Sequence, residues 1–598
     1  MNHNKFGLLS RSRVLALLLT FPMLFLAACG GGGGGGVNGD TTLVQADISA
    51  AAGGTFTDNL ANPSISLTIP PGALSADARL VVTAVSAPLP PGAGQAAASG
   101  AFTVTLASLS GAPLAIGENM VLEMAASPAP VHPQLGEIAR LSGAGWVRLP
   151  SSFFRASDST VVSLVSDANG TFRVLHRTLQ TASGPAVAAG FEVFMNESFG
   201  NESFFGGVLG LHTVLNALPP TQAVALGVQV DLAKVPADIV AVMTGPDLAA
   251  KDAALADPVI TQRLLKAGAV IGVKGVFATA DPNDITLTAA GITCALCHQN
   301  VTPTTFVLTA GPTALPIGPL EVDGKSNVAM DAGAILAATP FVQTNPALVA
   351  TLQGWGPGKF DVRALPDNPL EDGADNPTGN PPLWNFVDLD VQGYLFGYDG
   401  LFVGENALAS QAEAVYDLVM HGNGAFGIAV NGLFGVAGAG NLPPALRIAP
   451  PQALINALAA AETGQPGNDI DTQKLLDLQT WMRSLASPPP GTFNEAEAEQ
   501  GFKLFFGKAN CHVCHNTADL TNSLGSLFTF TLGPNPGDLA GGIKVPGLRG
   551  VSRSAPYLHN HGLGTLQEVV ALLATLGNPI PALTAAEQAA LVEFLKSL

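Results

Sequence analysis

The sequence predicts a multidomain chain, with an N-terminal antiparallel β-sandwich followed by two mainly α-helical domains. Three observations lead to this fold class. Short runs of alternating apolar and polar residues, separated by glycine- and proline-rich turns, fill the region 42–189. Further along, for example over 257–277, apolar residues recur about every 3.6 positions, as in amphipathic helices. The pattern C-x-x-C-H occurs twice, once in each helical part.

The composition allows several buried cores and limits the class of partner. The chain has 598 residues, 47% hydrophobic and only 12% charged, so about two to four domains are expected. The net charge of −19 argues against binding to nucleic acid or to an anionic membrane surface through basic patches. A protein partner with a positively charged surface fits this charge better.

The N-terminus has the pattern of an export signal that ends in a lipid-attachment site. Basic residues precede an apolar run that is shorter than the about 20 residues of a membrane span and ends in "LAAC" at Cys29. This motif resembles the bacterial lipobox, which implies lipidation of Cys29, although an ordinary cleaved signal is the alternative. We expect a signal peptide over 1–28 and a glycine-rich tether over 29–41. We then expect the mature protein to be an exported lipoprotein that faces the periplasm or lies on the cell surface and is held to the membrane by its lipid only. Gly30 rather than Asp after Cys29 resembles the outer-membrane sorting default, so the outer membrane is the expected location.

The β-sandwich is predicted from short runs such as "SISLTI" (64–69), "ARLVVTAV" (78–85) and "AFTVTL" (101–106). The stretch around "IPPGAL" (69–74) also resembles the β-sandwich module of ankyrins and netrin receptors. That resemblance implies the same antiparallel architecture.

Two helical domains are predicted over 190–487 and 491–598, on either side of the "PPPG" segment at 488–491. "QTWMRSL" (479–485) and "VEFLKSL" (592–598) share an aromatic residue, a cation and a terminal Ser-Leu in the same register. We therefore expect two related domains that each close with the same kind of helix.

The pentapeptides "CALCH" (294–298) and "CHVCH" (511–515) hold four of the five cysteines. C-x-x-C-H is the attachment site of c-type haem, in which both thiols bind the haem vinyl groups and the histidine coordinates iron. Two such motifs in an exported chain predict two covalently bound haem c groups in cytochrome c-like domains. A redox cysteine pair, a zinc ribbon or a disulfide is the alternative. The predicted attachment residues are Cys294, Cys297, Cys511 and Cys514, with His298 and His515 as axial ligands.

The second helical domain resembles the C-terminal haem domain of the bacterial di-haem cytochrome c peroxidases. The residues that carry this resemblance are "GFKLFFGKANCHVCH" (501–515), "KVPGLRGVSRSAPYLHNHGLGTLQEVVALL" (544–573) and "LTAAEQAALVEFLKSL". The superfamily includes the di-haem enzyme that matures methylamine dehydrogenase and the bacterial rubber oxygenase. The likeness extends more loosely over the first helical domain, but the long N-terminal region is not typical of the small peroxidases.

The resemblance implies side chains that serve the second haem. The family's electron-transfer haem usually has a methionine ligand, but no methionine follows His515. The local candidates are His559, which aligns with the histidine of the family's "PYFHDG", or His561. A bis-histidine haem of lower reduction potential is therefore expected, unless both histidines only form hydrogen bonds near the haem edge. Arg549 and Lys544 in "KVPGLRG" match basic positions of the family and are predicted near haem propionates.

The first haem has no clear second ligand. His421 follows Val419, which stands where the peroxidases have the glutamate that moves a proton during cleavage of the peroxide bond. Valine cannot do this, so peroxidase turnover is doubtful unless His421 replaces it. Gln411 matches the family's "QA", and Tyr398 stands where an inter-haem tryptophan is common. Further candidates for the sixth iron position are Met330, Met420 and His212.

Two classes of function remain open. In the first, the protein is an oxidoreductase whose first haem reacts with peroxide, dioxygen or an organic substrate, while the second transfers electrons. Its partner is then a redox protein such as a small cytochrome. The alternative is a pure electron-transfer lipoprotein with both irons six-coordinate. The sequence identifies neither the substrate nor the oligomeric state.

Overall fold

A computed structural model of the chain describes residues 40–60, 64–130, 132, 135–177, 184–360, 377–387, 389, 393–397, 404–415, 471–521, 527–528, 543–577 and 580–598. Five residues singled out from the sequence lie outside these ranges: Cys29, Tyr398, Val419, Met420 and His421.

The described residues before 178 form an antiparallel β-sandwich, as predicted. Its strands are β1 (Thr41–Ile48), β2 (Gly54–Thr57), β3 (Ile65–Ile69), β4 (Ala78–Ala84), β5 (Gln95–Ser108), β6 (Met120–Ala125), β7 (Gly136–Ser142), β8 (Gly145–Arg148), β9 (Phe153–Arg155), β10 (Thr160–Val165) and β11 (Gly170–Arg177). One sheet has the order β1-β4-β5-β11-β7-β8 and the other the order β2-β3-β6-β10-β9.

The alternation that predicted the strands also sets the core. In β3, Ile65, Leu67 and Ile69 are buried between the sheets while the residues between them are half-buried. The predicted "IPPGAL" turn closes with a hydrogen bond of 3.1 Å from the N–H of Ala73 to the carbonyl of Pro70. Gly72 has φ +77°, a value that favours glycine at this turn position.

The described residues after 177 contain fourteen α-helices. They are α1 (Pro185–Asn196), α2 (Leu211–Ala217), α3 (Pro220–Ala225), α4 (Ala237–Thr244), α5 (Leu248–Ala256), α6 (Pro258–Lys266), α7 (Ala295–His298), α8 (Ala332–Ala337), α9 (Pro346–Trp355), α10 (Ala407–Val415), α11 (Thr472–Arg483), α12 (Glu495–Phe505), α13 (Leu566–Thr575) and α14 (Ala585–Lys596). Where the structure describes the chain, no helix combines the length and the apolar character that a bilayer span requires.

The first helical unit also contains short two-stranded sheets, which the sequence analysis did not predict. The helical interpretation of 257–277 holds only as far as Lys266, because Gly268 takes φ +65° and the β-branched run after it forms a strand. The strands of the first unit are β12 (Val230–Asp231), β13 (Val273–Phe277), β14 (Leu287–Ile292), β15 (Asn300–Val301), β16 (Thr304–Leu308), β17 (Gly311–Leu315), β18 (Ile317–Gly318), β19 (Leu320–Glu321), β20 (Lys359–Phe360) and β21 (Thr378–Gly379). The second unit contains β22 (Leu527–Phe528) and β23 (Ile543–Lys544).

Local capping fixes the start of the last two helices. Thr565 and Thr584 each accept a hydrogen bond from the N–H of the glutamate three residues later. Those glutamates, Glu568 and Glu587, accept hydrogen bonds in return from the N–H of the capping threonine. This reciprocal pattern satisfies the N–H groups that a helix start otherwise leaves free.

The two helical units are built on the same helix crossing. In the first unit α1 packs against α11, and a Cβ at Gly190 would overlap the carbonyl oxygen of Asp477. In the second, α12 packs against α14, and Gly501 has the same relation to the carbonyl of Ala590. Glycine therefore allows the close approach in both units.

Aromatic residues fill both crossings at matching positions. The rings of Phe194 and Trp481 lie 4.2 Å apart in the first unit, and those of Phe505 and Phe594 lie 5.2 Å apart in the second. A serine follows Trp481 and Phe594 three residues later, as Ser484 and Ser597. Each serine hydroxyl donates a hydrogen bond of 2.6 Å to the carbonyl of that aromatic residue. The predicted echo between "QTWMRSL" and "VEFLKSL" is thus a true structural repeat.

The β-sandwich packs directly on the second helical unit, although the whole first unit separates them in sequence. Phe153 of β9 stacks on Phe502 of α12, with ring centroids 5.8 Å apart. Beside it, Arg155 forms ion pairs with Glu123 of the sandwich at 3.0 Å and with Glu499 of α12 at 3.2 Å. The sandwich and the C-terminal unit therefore share one hydrophobic cluster.

Candidate haem-attachment sites

The two pentapeptides adopt the same backbone turn. In each, the carbonyl oxygen of the first cysteine accepts hydrogen bonds from the N–H of the second cysteine and from that of the histidine, over 3.0 to 3.2 Å. Positions i, i+3 and i+4 of a helical turn lie on one face, so both thiols and the imidazole share a side of the turn. These residues are Cys294, Cys297 and His298, and Cys511, Cys514 and His515.

None of these four cysteines forms a disulfide. Burial raises the pKa of Cys297 and of Cys511 to about 12. No group of three or more histidine, cysteine, aspartate or glutamate side chains within the described ranges is arranged to hold a metal ion.

The histidine of each pentapeptide is held neutral. Burial lowers the pKa of His298 and of His515 to about 4, against the opposing effect of backbone carbonyl groups. Nδ1 of His515 lies 2.5 Å from the carbonyl oxygen of Leu520, and Nδ1 of His298 is buried without a hydrogen-bond partner. A neutral imidazole with one nitrogen turned to the backbone keeps the other nitrogen available to a metal.

Segments 381–385 and 546–550 occupy equivalent places in the two units. The first proline of each, Pro381 and Pro546, acts through its backbone on the pKa of the nearby histidine. At the other end of each segment, a backbone N–H donates to the carbonyl of the leucine just after the closing helix. Asn385 donates to Leu485 at 2.9 Å, and Gly550 donates to Leu598 at 2.7 Å. Both residues have positive φ, +61° and +81°. The internal repeat therefore includes the surroundings of both motif histidines, His298 and His515.

These two segments also join the helical units to each other. The indole N–H of Trp384 and the side-chain amide of Asn385 both donate to the carbonyl of Arg549, each at 3.1 Å. The linker after α11 also contacts Asn385, because the N–H of Ser487 donates to the side-chain oxygen of Asn385 at 3.1 Å. The residue just before the "PPPG" segment is therefore buried.

A buried cluster of charges lies where the sandwich meets the second unit. Arg148 forms ion pairs with Glu137 at 3.1 Å and with Asp519 at 2.7 Å. Arg549 pairs with Glu137 at 2.9 Å, and Arg177 pairs with Asp519. None of these five side chains is more than 11% exposed. Three arginines against two carboxylates leave this charge cluster with one excess positive charge.

The charge cluster has donors without partners. Nε of Arg549 and both Nε and Nη1 of Arg177 are buried and form no hydrogen bond. Burial, with a smaller contribution from the charge of the neighbouring Arg148, lowers the pKa of Arg177 to about 9. Unpaired buried guanidinium groups fit an additional anion such as a haem propionate.

The charge cluster supports the loop that orients His515. Asp519 precedes Leu520, whose carbonyl faces Nδ1 of His515, and Arg549 also donates to the carbonyl of Ala518 at 2.9 Å. Sequence reasoning missed the sandwich members of this cluster. The available signal was a charged residue inside an otherwise apolar strand, as for Glu137 in "GEIARL".

The histidines predicted as ligands of the second haem lie at the junction of the helical units. The carbonyl of His559 accepts a hydrogen bond from the N–H of Gly379 at 2.7 Å. The ring of His561 packs on Gly379 so closely that a Cβ there would overlap it, and its Nδ1 is buried without a partner. Burial and the charge of Lys359 lower the pKa of His561 to about 4. His561 also has φ +55°.

The other predicted site residues are placed as follows. Gln411 lies on α10 and is half-buried, and Lys544 lies in β23 and is half-buried. Met330 is 1% exposed, and its carbonyl accepts a hydrogen bond from the N–H of Gly358 at 2.8 Å. His212 lies on α2, with Nδ1 buried and unpaired. None of their predicted roles is tested by these positions.

Comparison with known proteins gives a local likeness to one class. No protein-family model matches the chain. The chain is 34% identical over 85 residues to the methylamine utilization protein MauG of Methylorubrum extorquens, a match that covers 12% of this chain and 24% of that protein. The match thus spans about a quarter of the relative's length.

A solved structure described as a MauG-like protein associated with microbial copper homeostasis also matches, at 20% identity. The match covers 37% of this chain and 73% of that chain, with a TM-score of 0.21. This TM-score does not establish a common fold. The sequence match supports the predicted resemblance only as far as a MauG-like di-haem class. The resemblances to the rubber oxygenase and to the ankyrin and netrin-receptor module still rest on sequence motifs alone.

Proposed function

We propose that this chain is a di-haem c-type cytochrome that acts as an oxidoreductase of the MauG-like kind. The observation that carries the proposal is the duplicated site. Both C-x-x-C-H motifs form the same pair of backbone hydrogen bonds, both histidines are half-buried with a pKa lowered to about 4, and both have an equivalent proline beside them. A single chance motif would not bring this whole arrangement with it a second time.

The residues that hold the two haem groups follow from this arrangement. Bound haem supplies one-electron and oxygen chemistry. The four motif thiols attach it, and His298 and His515 offer a neutral nitrogen to the iron. Arg549, with Arg177 of the sandwich, neutralises a propionate of the second haem. In this proposal the β-sandwich is a structural part of the second haem site.

We assign substrate chemistry to the first haem and electron transfer to the second, which takes His559 or His561 as its other ligand. His561 fits such a role because its ring has a buried nitrogen without a partner. The hydrogen bonds from Trp384 and Asn385 to Arg549 connect the segments beside the two haem histidines. They offer a short route for electrons between the units.

The remaining parts of the proposal concern the cell. The lipobox-like motif at Cys29 supports an exported lipoprotein, and the acidic chain suits a redox partner with a positively charged surface. The peroxide, dioxygen or organic substrate of the first haem is left open here.

Mass spectrometry of the mature protein tests the central claim. We expect the mass of two covalent haem groups, and the loss of one group in each of the variants Cys294→Ala and Cys511→Ala. Protein that matures in a haem-attaching host with one haem or none contradicts the proposal. An EPR spectrum of the ferric protein then separates the two functional classes. A high-spin signal is expected for a reactive first haem, whereas two low-spin signals indicate electron transfer alone.

A further inference from the structure

An apolar cavity of about 210 Å³ lies inside the first helical unit, between helices α2 to α6 and the strands packed on them. Its lining contains no charged side chain, and every lining residue is apolar apart from three threonines. Representative wall residues are Leu215, Val230, Ile239, Leu255, Leu264 and Phe306.

The size of this cavity is unusual for a protein interior. Native cores contain few voids larger than a water molecule, which takes up about 30 Å³. An engineered apolar cavity of about 150 Å³ stays dry and binds benzene. The cavity in the first unit is larger, so it has room for a small organic molecule.

One wall residue has a polar atom that lacks a partner. Thr261 of α6 is 4% exposed, and its hydroxyl forms no hydrogen bond, not even to the carbonyl four residues earlier. Thr244, a second wall threonine, does form this kind of bond, because its hydroxyl donates to the carbonyl of Val240 at 2.8 Å. An unpaired buried hydroxyl is costly and calls for an explanation, which a bound polar atom supplies.

The cavity adjoins the first haem-attachment turn. Val270 and Val273 belong to its wall, and a Cβ at Gly272, between them, would overlap the backbone of Leu296 in "CALCH". A single backbone segment therefore separates the cavity from the predicted haem site.

We propose that this cavity binds a small aliphatic molecule with one uncharged hydrogen-bonding group, such as a primary alcohol. The apolar wall takes the hydrocarbon body, and the hydroxyl of Thr261 bonds to the polar group. A carboxylate or an ammonium ion is excluded because the wall offers no countercharge for a desolvated ion. The proposal does not depend on the chemistry of the haem groups.

Calorimetric titration of the full haem-loaded protein with hexan-1-ol tests this proposal. We expect saturable binding, and no binding of the charged analogue hexylammonium. Thr261→Val keeps the shape of the side chain but removes its hydroxyl, so it should weaken hexan-1-ol binding about three- to tenfold. Thr288→Val, which removes an exposed hydroxyl from β14, is the matched control and should leave the affinity unchanged.

A second variant tests the volume rather than the hydrogen bond. Ala254→Phe places a ring in the cavity and should abolish binding. The inference is overturned if the wild type shows no saturation, if hexylammonium binds as well as hexan-1-ol, or if Thr261→Val retains full affinity. The haem content of each variant is measured in parallel. Absence of haem from the wild type would count against the proposed haem function and not against this cavity.

Discussion

Replacement of Glu137 by glutamine tests whether the buried charge cluster holds the β-sandwich to the second helical unit. Glu137 is 1% exposed and lies on β7 of the sandwich, 412 positions from its partner Arg549. Glutamine keeps the shape of the side chain and removes its charge. The cluster would then hold three arginines against the single carboxylate of Asp519.

The size of the effect follows from the contacts. Glu137 accepts from Arg148 at 3.1 and 3.3 Å and from Arg549 at 2.9 Å. Hydrogen bonds to charged groups contribute about 1.5–3 kcal/mol each, and breaking a buried ion pair costs about 3–5 kcal/mol. We therefore expect Glu137→Gln to lower the free energy of unfolding of the sandwich and second unit by about 3–5 kcal/mol.

The pH dependence has a defined sign. Burial raises the pKa of Glu137, but the charges of Arg148, Arg549 and Arg177 outweigh it, and the pKa lies below its ordinary value of 4.5. The stabilisation is then present above that value and is lost as the pH falls through the lower, folded pKa. In Glu137→Gln this part of the acid sensitivity should disappear.

Urea unfolding followed by circular dichroism measures the change. Asp47→Asn is the matched control, because the ion pair of Asp47 with Arg79 is similarly short, at 2.7 Å, but both side chains are about half exposed. An exposed pair contributes little, so this control should unfold like the wild type. If Glu137→Gln loses no more stability than Asp47→Asn, the inferred role of the charge cluster is wrong.

Three further predictions concern the repeat, the second haem and the anchor. Gly501→Ala should destabilise the second unit by at least about 1–3 kcal/mol in thermal unfolding, because its Cβ overlaps backbone, whereas Gly491→Ala has open space and should change little. If either His559 or His561 ligates the second iron, His559→Ala or His561→Ala converts one low-spin ferric EPR signal to high spin; an unchanged spectrum in both variants places the ligand elsewhere. Cys29→Ala should move the protein from the membrane fraction to the soluble fraction, and continued membrane attachment in a fractionation assay would contradict the lipid anchor.

The sequence by itself determined the features that depend on neighbouring residues. Alternation in "SISLTI" predicted β3, and the "IPPGAL" turn forms where its glycine allows positive φ. The spacing in "CALCH" and "CHVCH" placed two thiols and a histidine on one face of a turn. The echo between the closing helices predicted the structural repeat. Periodicity failed after Lys266, where glycine and β-branched residues end the helix and a strand begins.

Only the tertiary structure decided which distant residues meet. The pairing of Arg148 with Asp519 spans 371 positions, and that of Glu137 with Arg549 spans 412, so no local pattern reveals either. The cavity around Thr261 likewise depends on how five short helices and several strands pack, because a void is a property of the whole arrangement. The residues of a motif lie close together in the sequence, so a local pattern reveals them. Buried ion pairs and cavities form only when separate segments of the chain pack together.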